Sequence, residues 1–439
     1  MRALPAYKAN LDMTFQRKLL LAAGGGWLFD AMDLLLVGTV VAAVGREWHL
    51  SKPVVGGIIT ANLIGMFLGA SLSGIVADRF GRRAVFMWTL LAYSLLTGIS
   101  AFAWSAASLA LIRFVAGIGL GGELPVASTL VSEFAPKERR GRTIVLLESF
   151  WAYGTVLAAL IGAVVVPTAG WRVAFLIGLL PALYVFVIRR AIPESPRFLL
   201  ASGRDAESRE VARAAGIENE APTDTARVTL SALFAPRFAK RTVMLWLLWI
   251  ALVFSYYGIF TWLPSLLLVK GFTLREALWL NLAIAVFQIP GYYAAAALVD
   301  RLGRKPTLVA FLACAAIGSF FFAGATLAAQ PSVAAVIGWG AVIAFFNLGA
   351  WGVTYTYTPE QYPTAIRASG AGLAAGAGRL VGAFAPALVG AMLVRFGSPY
   401  AVFVVFACVM LAGAVVVLVL GDETRGKSLE ELTETRLAA

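Results

Sequence analysis

The sequence contains little charge, little histidine and little cysteine, and each shortage excludes a class of protein. Charged residues make up 14% of the 439 residues and apolar residues 60%, whereas a soluble domain is about 25% charged. This balance excludes a soluble enzyme and a disordered chain. The single histidine is His49, and the two cysteines, Cys314 and Cys408, lie in apolar runs. The sequence therefore offers neither a disulfide framework nor a histidine-based metal site.

Long apolar runs recur along the whole chain, as in a polytopic membrane protein. Twelve of them are long enough for a helix to cross the roughly 30 Å of hydrocarbon in a bilayer. The first run is too long for a cleaved signal peptide and contains two aspartates, so we interpret it as a retained helix. The predicted spans are 18–44, 54–77, 84–104, 108–132, 143–166, 171–190, 242–268, 274–299, 307–328, 333–358, 370–394 and 399–420.

Lysine and arginine are distributed unevenly between the loops. If the N-terminus is placed in the cytoplasm, the inner segments hold most of the 36 basic residues. The positive-inside rule therefore predicts a multi-pass protein of the inner (plasma) membrane with both termini in the cytoplasm. This topology also explains the net charge of +12 without nucleic acid. The outer loops hold only Arg46, Lys52, Arg172, Lys270, Arg275 and Arg395.

Two similar segments indicate an internal duplication. Gly74–Arg83 reads GIVADRFGRR and Ala296–Lys305 reads AALVDRLGRK, and each follows the second span of its half. Duplicated bundles with a binding site between them are typical of secondary transporters. We predict an all-α membrane protein with twelve transmembrane helices in two pseudo-symmetric six-helix bundles. The predicted parts are an N-terminal bundle at 1–190, a cytoplasmic linker at 191–241, a C-terminal bundle at 242–421 and a cytoplasmic tail at 422–439.

A glycine-rich motif in span four has the spacing of a nucleotide-binding fingerprint. Gly117, Gly119 and Gly122 fit G-x-G-x-x-G, but that fingerprint requires a preceding strand and a βαβ unit. Inside an apolar helix, small residues favour close helix packing, which we expect here. No Walker motif is present, so the sequence gives no support for ATP-driven transport.

Charged residues inside the predicted spans are candidates for function. A charged side chain at the centre of a membrane helix costs about 2.5–3.5 kcal/mol on scales of membrane insertion, so each requires a partner or a water-filled cavity. An acid whose distance from an arginine changes with conformation couples proton binding to that conformation. A fixed structural ion pair is the alternative. The charged residues are Asp30, Asp33, Arg113, Glu123, Glu148 and Arg379.

The repeated loop motif is a candidate latch between conformations. An acid beside clustered arginines at the ends of helices can bridge neighbouring helices and separate when the two halves rock. Retention of basic residues on the cytoplasmic side is the simpler explanation, and both can hold. The latch candidates are Asp78, Arg79, Arg82, Asp300, Arg301 and Arg304.

Several motifs resemble those of the major facilitator superfamily over essentially the whole chain. Gly74–Arg83 matches its G-x-x-x-D-R-x-G-R-R loop, and Pro193–Arg197 (PESPR) and Glu423–Lys427 (ETRGK) look like motifs of its sugar porters. Arg113–Ser128 and Phe29–Asp33 (FDAMD) look more like the metabolite:proton symporters. That group includes bacterial niacin permeases and is similar to the synaptic-vesicle glycoprotein 2 and organic-ion transporter families.

The sequence departs from two branches of this superfamily. Sugar porters carry paired glutamines in span seven, whereas Trp246–Gly258 reads WLLWIALVFSYYG. Drug antiporters carry a Gly-Pro-rich motif in span five, whereas Gly154–Val166 reads GTVLAALIGAVVV. Both departures favour an importer of an organic solute that is not a sugar.

The resemblance also implies roles for the buried charges. It implies that Asp33 and Arg113 form a proton-coupling pair, and we keep Asp30 and Glu123 as further proton-coupling candidates. Glu123 can equally be a structural partner. Arg379 lies among glycines in GAGRLVGAF, which gives an anion room to approach, and the resemblance to organic-ion transporters places it near the ligand. Neutralisation of a protein acid such as Glu123 is the alternative role of Arg379.

Aromatic side chains complete the expected substrate site. Glu148 aligns with a glutamine that contacts substrate in the resembled sugar porters, although pairing with Arg142 is an equal alternative. Aromatic walls with one cation suit a small aromatic carboxylate. The substrate-binding candidates are Arg379, Glu148, Tyr256, Tyr257, Trp262, Tyr355 and Gln288.

The expected function is proton-coupled import of a small organic acid by alternating access, with nicotinate as the most specific hypothesis. A sugar or polyol proton symporter and a non-transporting ligand-binding membrane protein are the alternatives. No catalytic constellation is visible, so we expect neither an enzyme nor a cofactor or metal. The expected partners are a small organic anion, protons and the lipid bilayer, and the expected state is a monomer.

Overall fold

The computed structural model describes residues 4–134, 140–215, 233–328, 331–362 and 364–425. All regular structure in these ranges is helical, and twelve segments are long and apolar enough to cross a membrane. The all-α membrane fold with twelve spans is therefore confirmed. Spans eight and twelve, Leu274–Val299 and Pro399–Leu420, have the bounds that hydropathy predicted.

The first six spans end at Ala191. Helix α2 packs along α4, and α1 packs along α5. Span six is divided into two helices by a 3-10 segment at Leu180–Tyr184. The helices of this part are α1 (Leu4–Glu47), α2 (Lys52–Phe80), α3 (Arg82–Ser100), α4 (Ala106–Phe134), α5 (Arg140–Ala169), α6 (Trp171–Ile177), α7 (Val185–Ala191), α8 (Pro196–Ala201) and α9 (Asp205–Ala215).

The remaining six spans begin with α10, and several of them are also built from two helices. Helix α14 packs against both α15 and α18, and α10 packs against α16. The helices of this part are α10 (Pro236–Phe260), α11 (Leu263–Val269), α12 (Leu274–Val286), α13 (Gln288–Leu302), α14 (Arg304–Ala325), α15 (Val333–Glu360), α16 (Thr364–Gly382), α17 (Ala385–Phe396) and α18 (Pro399–Leu420).

Three of the predicted continuous spans are interrupted just before a proline. Span seven breaks between α10 and α11, span eight between α12 and α13, and span eleven between α16 and α17. The helix after each break has a proline in its first turn, namely Pro264, Pro290 and Pro386. Proline lacks the amide hydrogen that would continue the ladder and clashes with the preceding turn. These breaks place Thr261 at the C-cap of α10 and Arg379 in the last turn of α16.

Glycines bring α2 and α4 into direct backbone contact. A Cβ atom built on Gly65 would lie 2.0 Å from the carbonyl oxygen of Phe114, and one on Gly117 would lie 2.1 Å from that of Asn62. Gly121 is tighter still, at 1.8 Å from the carbonyl oxygen of Met66. Close packing of small residues is therefore what this glycine-rich segment provides, as its position in an apolar helix indicated.

We expect Gly121→Ala to lower the thermal unfolding midpoint of the purified protein, because its new methyl group must push α2 and α4 apart. Overpacking of this kind costs about 1–3 kcal/mol. Gly57→Ala, on α2, is the matched control, since a Cβ atom there meets nothing within 4 Å and alanine favours a helix over glycine. Equal midpoints for the two variants would contradict the close contact.

Candidate substrate-binding and ion-coupling site

A buried polar cluster joins the first four helices. Arg113 on α4 contacts Asp33 on α1, with Nη2 and Oδ2 2.5 Å apart and both side chains fully buried. The same Nη2 donates to Oδ1 of Asn62 on α2 at 3.0 Å. Arg113 Nη1 donates to the hydroxyl of Thr97 on α3 at 2.7 Å, and that hydroxyl donates to Asp33.

This cluster supplies the partner that each buried charge requires. A charge without a partner in the hydrocarbon region costs several kcal/mol, and here the guanidinium and carboxylate neutralise one another through charge-assisted hydrogen bonds. The guanidinium carbon of Arg113 also lies 5.8 Å from the ring centre of Phe175 on α6, within the range of a cation–π contact. The two charges that the sequence paired are therefore in direct contact.

Three further acids are buried nearby without such partners. Asp30 and Glu123 are fully buried and Glu148 is 1% exposed, and their carboxyl oxygens accept no hydrogen bond within the described ranges. Tyr93 lies beside Glu123 and Trp27 beside Glu148, but neither contact has the geometry of a hydrogen bond. The site thus contains three buried carboxyl groups that have no hydrogen-bond donor among the described residues.

Arg379 on α16 brings a cation from the second half of the chain to these acids. Its guanidinium lies within electrostatic reach of Asp30 and Glu148. In the part of the chain that the structure describes, it makes no salt bridge within 4.0 Å with any acid. Gly378 packs its backbone against Trp249 on α10. Arg379 is therefore held at the site by its helix rather than by an ion pair.

A cavity between the two halves brings Asp30 and Arg379 together. It is narrow: about 310 Å³ lies outside the atoms, a figure that includes space open to solvent, and there is room for about one water molecule. One wall comes from α1, α2, α4 and α5, and the other from α10, α15 and α16. Its lining residues are Trp27, Asp30, Met66, Leu120, Gly121, Trp151, Tyr257, Trp351, Tyr355 and Arg379. We call this space the central cavity.

Indole rings form most of the aromatic surface of the central cavity. The ring centres of Trp27 and Trp151 are 4.8 Å apart. Trp151 and Trp351 come from opposite halves and are nearly parallel, with an interplanar angle of 13° and a centre distance of 6.4 Å. Tyr257 lies 6.3 Å from Trp351. Flat aromatic ligands pack well against surfaces of this kind.

The other substrate-binding candidates lie at different distances from this cavity. Tyr257 and Tyr355 line it. Tyr256 lies behind Trp151, whose indole nitrogen donates to its hydroxyl at 2.6 Å, and that hydroxyl donates to Gln288 at 3.4 Å. Trp262 lines a separate cavity beyond the break in span seven.

Neutral residues that the sequence did not single out complete the site. Asn62 and Thr97 hydrogen-bond to Arg113, but a neutral polar residue in an apolar span gives no signal of its own. Met66 and Trp27 line the central cavity. Trp27 precedes Asp30 by three residues, so it shares a helix face with that acid, and this spacing was a usable signal.

The repeated loop motif is fixed by two glutamates in equivalent places. Glu194 accepts hydrogen bonds from the backbone amides of Arg82 and Arg83 at 2.9 and 3.1 Å, at the start of α3. Glu423 accepts from the amides of Arg304 and Lys305 at 3.0 Å each, at the start of α14. A carboxylate at a helix N-terminus is stabilised by the free amides and the helix dipole.

The structure describes the side chains of four of the six latch candidates. The side chains of Asp78 and Asp300 lie outside the described residues. Arg304 bonds to Glu360 through Nε at 3.1 Å. The guanidinium carbon of Arg79 lies 5.4 Å from the ring centre of the adjacent Phe80, and Arg82 lies over Phe198 at 5.7 Å. Arg301 is exposed.

Known proteins resemble this chain over nearly its whole length. The Niacin transporter NiaP of Acinetobacter baylyi is 47% identical over 428 residues, which are 95% of this chain and 96% of that protein. The protein of Bacillus subtilis named "Putative niacin/nicotinamide transporter NiaP" is 45% identical, and the match covers 94% of this chain and 98% of that protein. The solved structure of the xylose transporter XylE from E. coli superposes with a TM-score of 0.78 at 20% identity, over 94% of this chain and 100% of that chain.

These similarities agree with the fold and with the resemblance drawn from the motifs. The proteins named above are transporters rather than enzymes, which confirms that expectation, and the twelve spans make this a multi-pass membrane protein. The family model described as "Sugar (and other) transporter" matches residues 27–435. This chain therefore belongs to the sugar (and other) transporter family of the major facilitator superfamily.

Proposed function

We propose that this protein transports nicotinate, or a closely similar small aromatic carboxylate, together with protons. The observation that carries the proposal is Arg379, a cation that lines an aromatic-walled cavity without forming a salt bridge to a described acid. Arginine binds a carboxylate through two parallel hydrogen bonds. The similarity to two proteins named as NiaP, at 47% and 45% identity, supports the same substrate class.

The central cavity suits an aromatic ligand better than a sugar. Trp151 and Trp351 present two nearly parallel faces from opposite halves, and an aromatic ring that enters when the halves move apart would bury apolar surface against them. The polar groups of the lining are few, and small-ligand sites commonly combine an apolar wall with a few orienting polar groups. A sugar would instead need several donors and acceptors for its hydroxyls.

Alternating access is supported by how the two halves meet. At the end of the bundle where α1 ends and α2 begins, Gly38 on α1 meets Thr261, and Gly56 on α2 meets Pro386, with Cβ positions 2.5 Å from the carbonyl oxygens. The amide of Ala387 donates to the hydroxyl of Thr60 at 3.2 Å. These contacts close the cavity toward that end, and transport requires them to separate in another conformation.

The orientation of the chain in the membrane and the two moving bundles are part of this proposal. The basic residues place the α1–α2 end outside the cell and both termini in the cytoplasm of the plasma membrane. The bundles at 1–190 and 242–421 would rock against each other as one monomer, joined by the linker at 191–241 and followed by the tail at 422–439. With protons flowing inward down their gradient, symport would carry the organic anion into the cell.

Proton coupling follows from the excess of buried acid beside the anion site. A bound carboxylate at Arg379 adds a negative charge within reach of Asp30 and Glu148. Uptake of a proton by a neighbouring carboxyl group would balance that charge inside the membrane. Asp33, held by Arg113 in the first bundle, would link protonation to the arrangement of the helices.

The test is uptake by purified protein in proteoliposomes. We expect radiolabelled nicotinate to accumulate when the outside is acidic. If one proton moves with each singly charged anion, transport moves no net charge and the accumulation should be about tenfold per pH unit. Excess benzoate should block uptake, and xylose should not. Accumulation of xylose without nicotinate would favour the sugar symporter instead. Binding of nicotinate without uptake in sealed, oriented vesicles would favour a non-transporting binding protein.

A further inference from the structure

A second, wider cavity lies at the α1–α2 end of the bundle, between the two halves. It encloses about 1030 Å³, including space open to solvent. The first half contributes the end of α1 and the start of α2, and the second half contributes α11 and the turn before α12. We call this space the vestibule.

The charge of the vestibule is positive. Arg46 and Lys52 line it, and no acid is among its lining residues. Glu47 and Glu276, two acids of these segments, do not line it, although Glu276 is bound to the lining residue Thr273. Glu47 accepts from the indole nitrogen of Trp171 at 2.7 Å and from Arg172 at 3.1 Å. The carboxylate of Glu276 accepts from both the amide and the hydroxyl of Thr273, at 2.8 Å each.

The remaining surface of the vestibule is mainly apolar and partly aromatic. Leu268, Val269 and Phe272 line it from the second half, whereas both cations come from the first half. Trp262 is fully buried, and its indole N–H has no hydrogen-bond partner in the described part of the chain. A buried donor without a partner costs free energy that a bound acceptor would recover. The surface therefore offers an apolar wall and two cations, and a movement that uncovers Trp262 would add a hydrogen-bond donor.

A backbone contact between the two halves lies between the vestibule and the central cavity. Gly38 of α1 meets the backbone of Thr261, with its Cβ position 2.5 Å from the carbonyl oxygen. On the second half, Tyr257 before this contact lines the central cavity and Trp262 after it lines the vestibule. On α1, Asp30 and Val41 lie on the two sides in the same way. The two cavities are thus consecutive along one path.

We propose that the vestibule is a second binding site for a small aromatic carboxylate, which it holds before the Gly38–Thr261 contact opens. The identity of the acid rests on the proposed function, but the site itself rests on the vestibule alone. Clefts lined by charge of one sign raise the local concentration of an oppositely charged ligand by about tenfold or more. Arg46 and Lys52 attract the carboxylate, and the partly exposed side chains of Leu268 and Val269 receive its ring.

The test measures how fast a thiol in the vestibule is modified, so it does not require transport. Cys314 and Cys408 are replaced by serine, and Leu268→Cys places a partly exposed thiol on the lining from the second half. In purified protein, we expect a negatively charged methanethiosulfonate to modify this thiol about tenfold faster, relative to a positively charged one, than it modifies a free thiol in solution. Benzoate should slow the modification, whereas benzamide and sulfate should not.

Arg46→Gln/Lys52→Gln should remove both the preference for the anionic reagent and the protection by benzoate. Arg395→Gln is the matched control, because Arg395 is an exposed arginine near the same end that does not line the vestibule. Protection should persist in Arg379→Ala, which separates this site from the central cavity. Equal protection by sulfate and benzoate, no protection by benzoate, or an unchanged reagent preference in the double variant would each overturn the proposal.

Discussion

Asp33→Asn is expected to abolish accumulation of substrate against a gradient while leaving exchange of labelled for unlabelled substrate across the membrane. Asparagine resembles the protonated acid and cannot release a proton, so movement of the helices no longer depends on proton binding. An accumulation of about tenfold per pH unit in the wild type would fall to equilibration. Both rates are measured in the same proteoliposomes, with and without a pH gradient.

Loss of folding is a separate effect of this substitution, and a second variant isolates it. The guanidinium of Arg113 would remain buried without the anion that it contacts at 2.5 Å, and breaking a buried pair costs about 3–5 kcal/mol. Asp33→Asn/Arg113→Gln removes both charges and should recover stability without recovering accumulation. If Asp33→Asn still accumulates substrate with the pH dependence of the wild type, the pair is purely structural.

Arg379→Ala is expected to remove binding of the acid while sparing the corresponding amide. Truncating one partner of a desolvated charge pair costs about 2–5 kcal/mol, so the affinity for nicotinate should fall at least about 30-fold. Nicotinamide carries no charge and should lose little. Arg379→Lys should restore acid binding only in part, because an ammonium cannot form the two parallel hydrogen bonds of a guanidinium. Equilibrium binding to purified protein measures all three.

The competing role for Arg379 is neutralisation of Asp30 or Glu148, and thermal stability without ligand tests it. In that case Arg379→Ala should lower the unfolding midpoint in the absence of ligand, because it leaves an acid without its cation. Arg395→Ala controls for loss of an arginine from the same span, since Arg395 is exposed in the last turn of α17. A stable Arg379→Ala variant that binds nicotinate normally would exclude both roles.

The sequence predicted the spans well because hydropathy alone determines which segments can cross a bilayer. The span predicted at 274–299 is Leu274–Val299 in the structure. The breaks inside the spans were missed, because an apolar run looks the same whether or not its helix is interrupted. Pro264 and Pro386 were visible signals, but proline is tolerated in many membrane helices, so its presence does not fix where a helix ends.

The site was predictable only where it contains charge or a family motif. Asp33 and Arg113 stand out in apolar spans, and their contact at 2.5 Å agrees with that reading. Helix rotation decides which of several aromatic residues lines a cavity, and composition carries no such information. Tyr257 therefore lines the central cavity while its neighbour Tyr256 lies behind Trp151. The break in span seven likewise moves Trp262 into the vestibule.

The indole cluster has a spectroscopic consequence. Trp27, Trp151, Trp351 and Trp249 form a chain with successive ring-centre distances of 4.8, 6.4 and 6.0 Å. Excited states migrate readily between indoles this close together, and their transitions couple to give strong near-ultraviolet circular dichroism. These four are a third of the twelve tryptophans in the chain. An occupant of the central cavity would therefore change the emission and dichroism of a large share of the chromophores at once, which makes the unmodified protein its own optical reporter of occupancy.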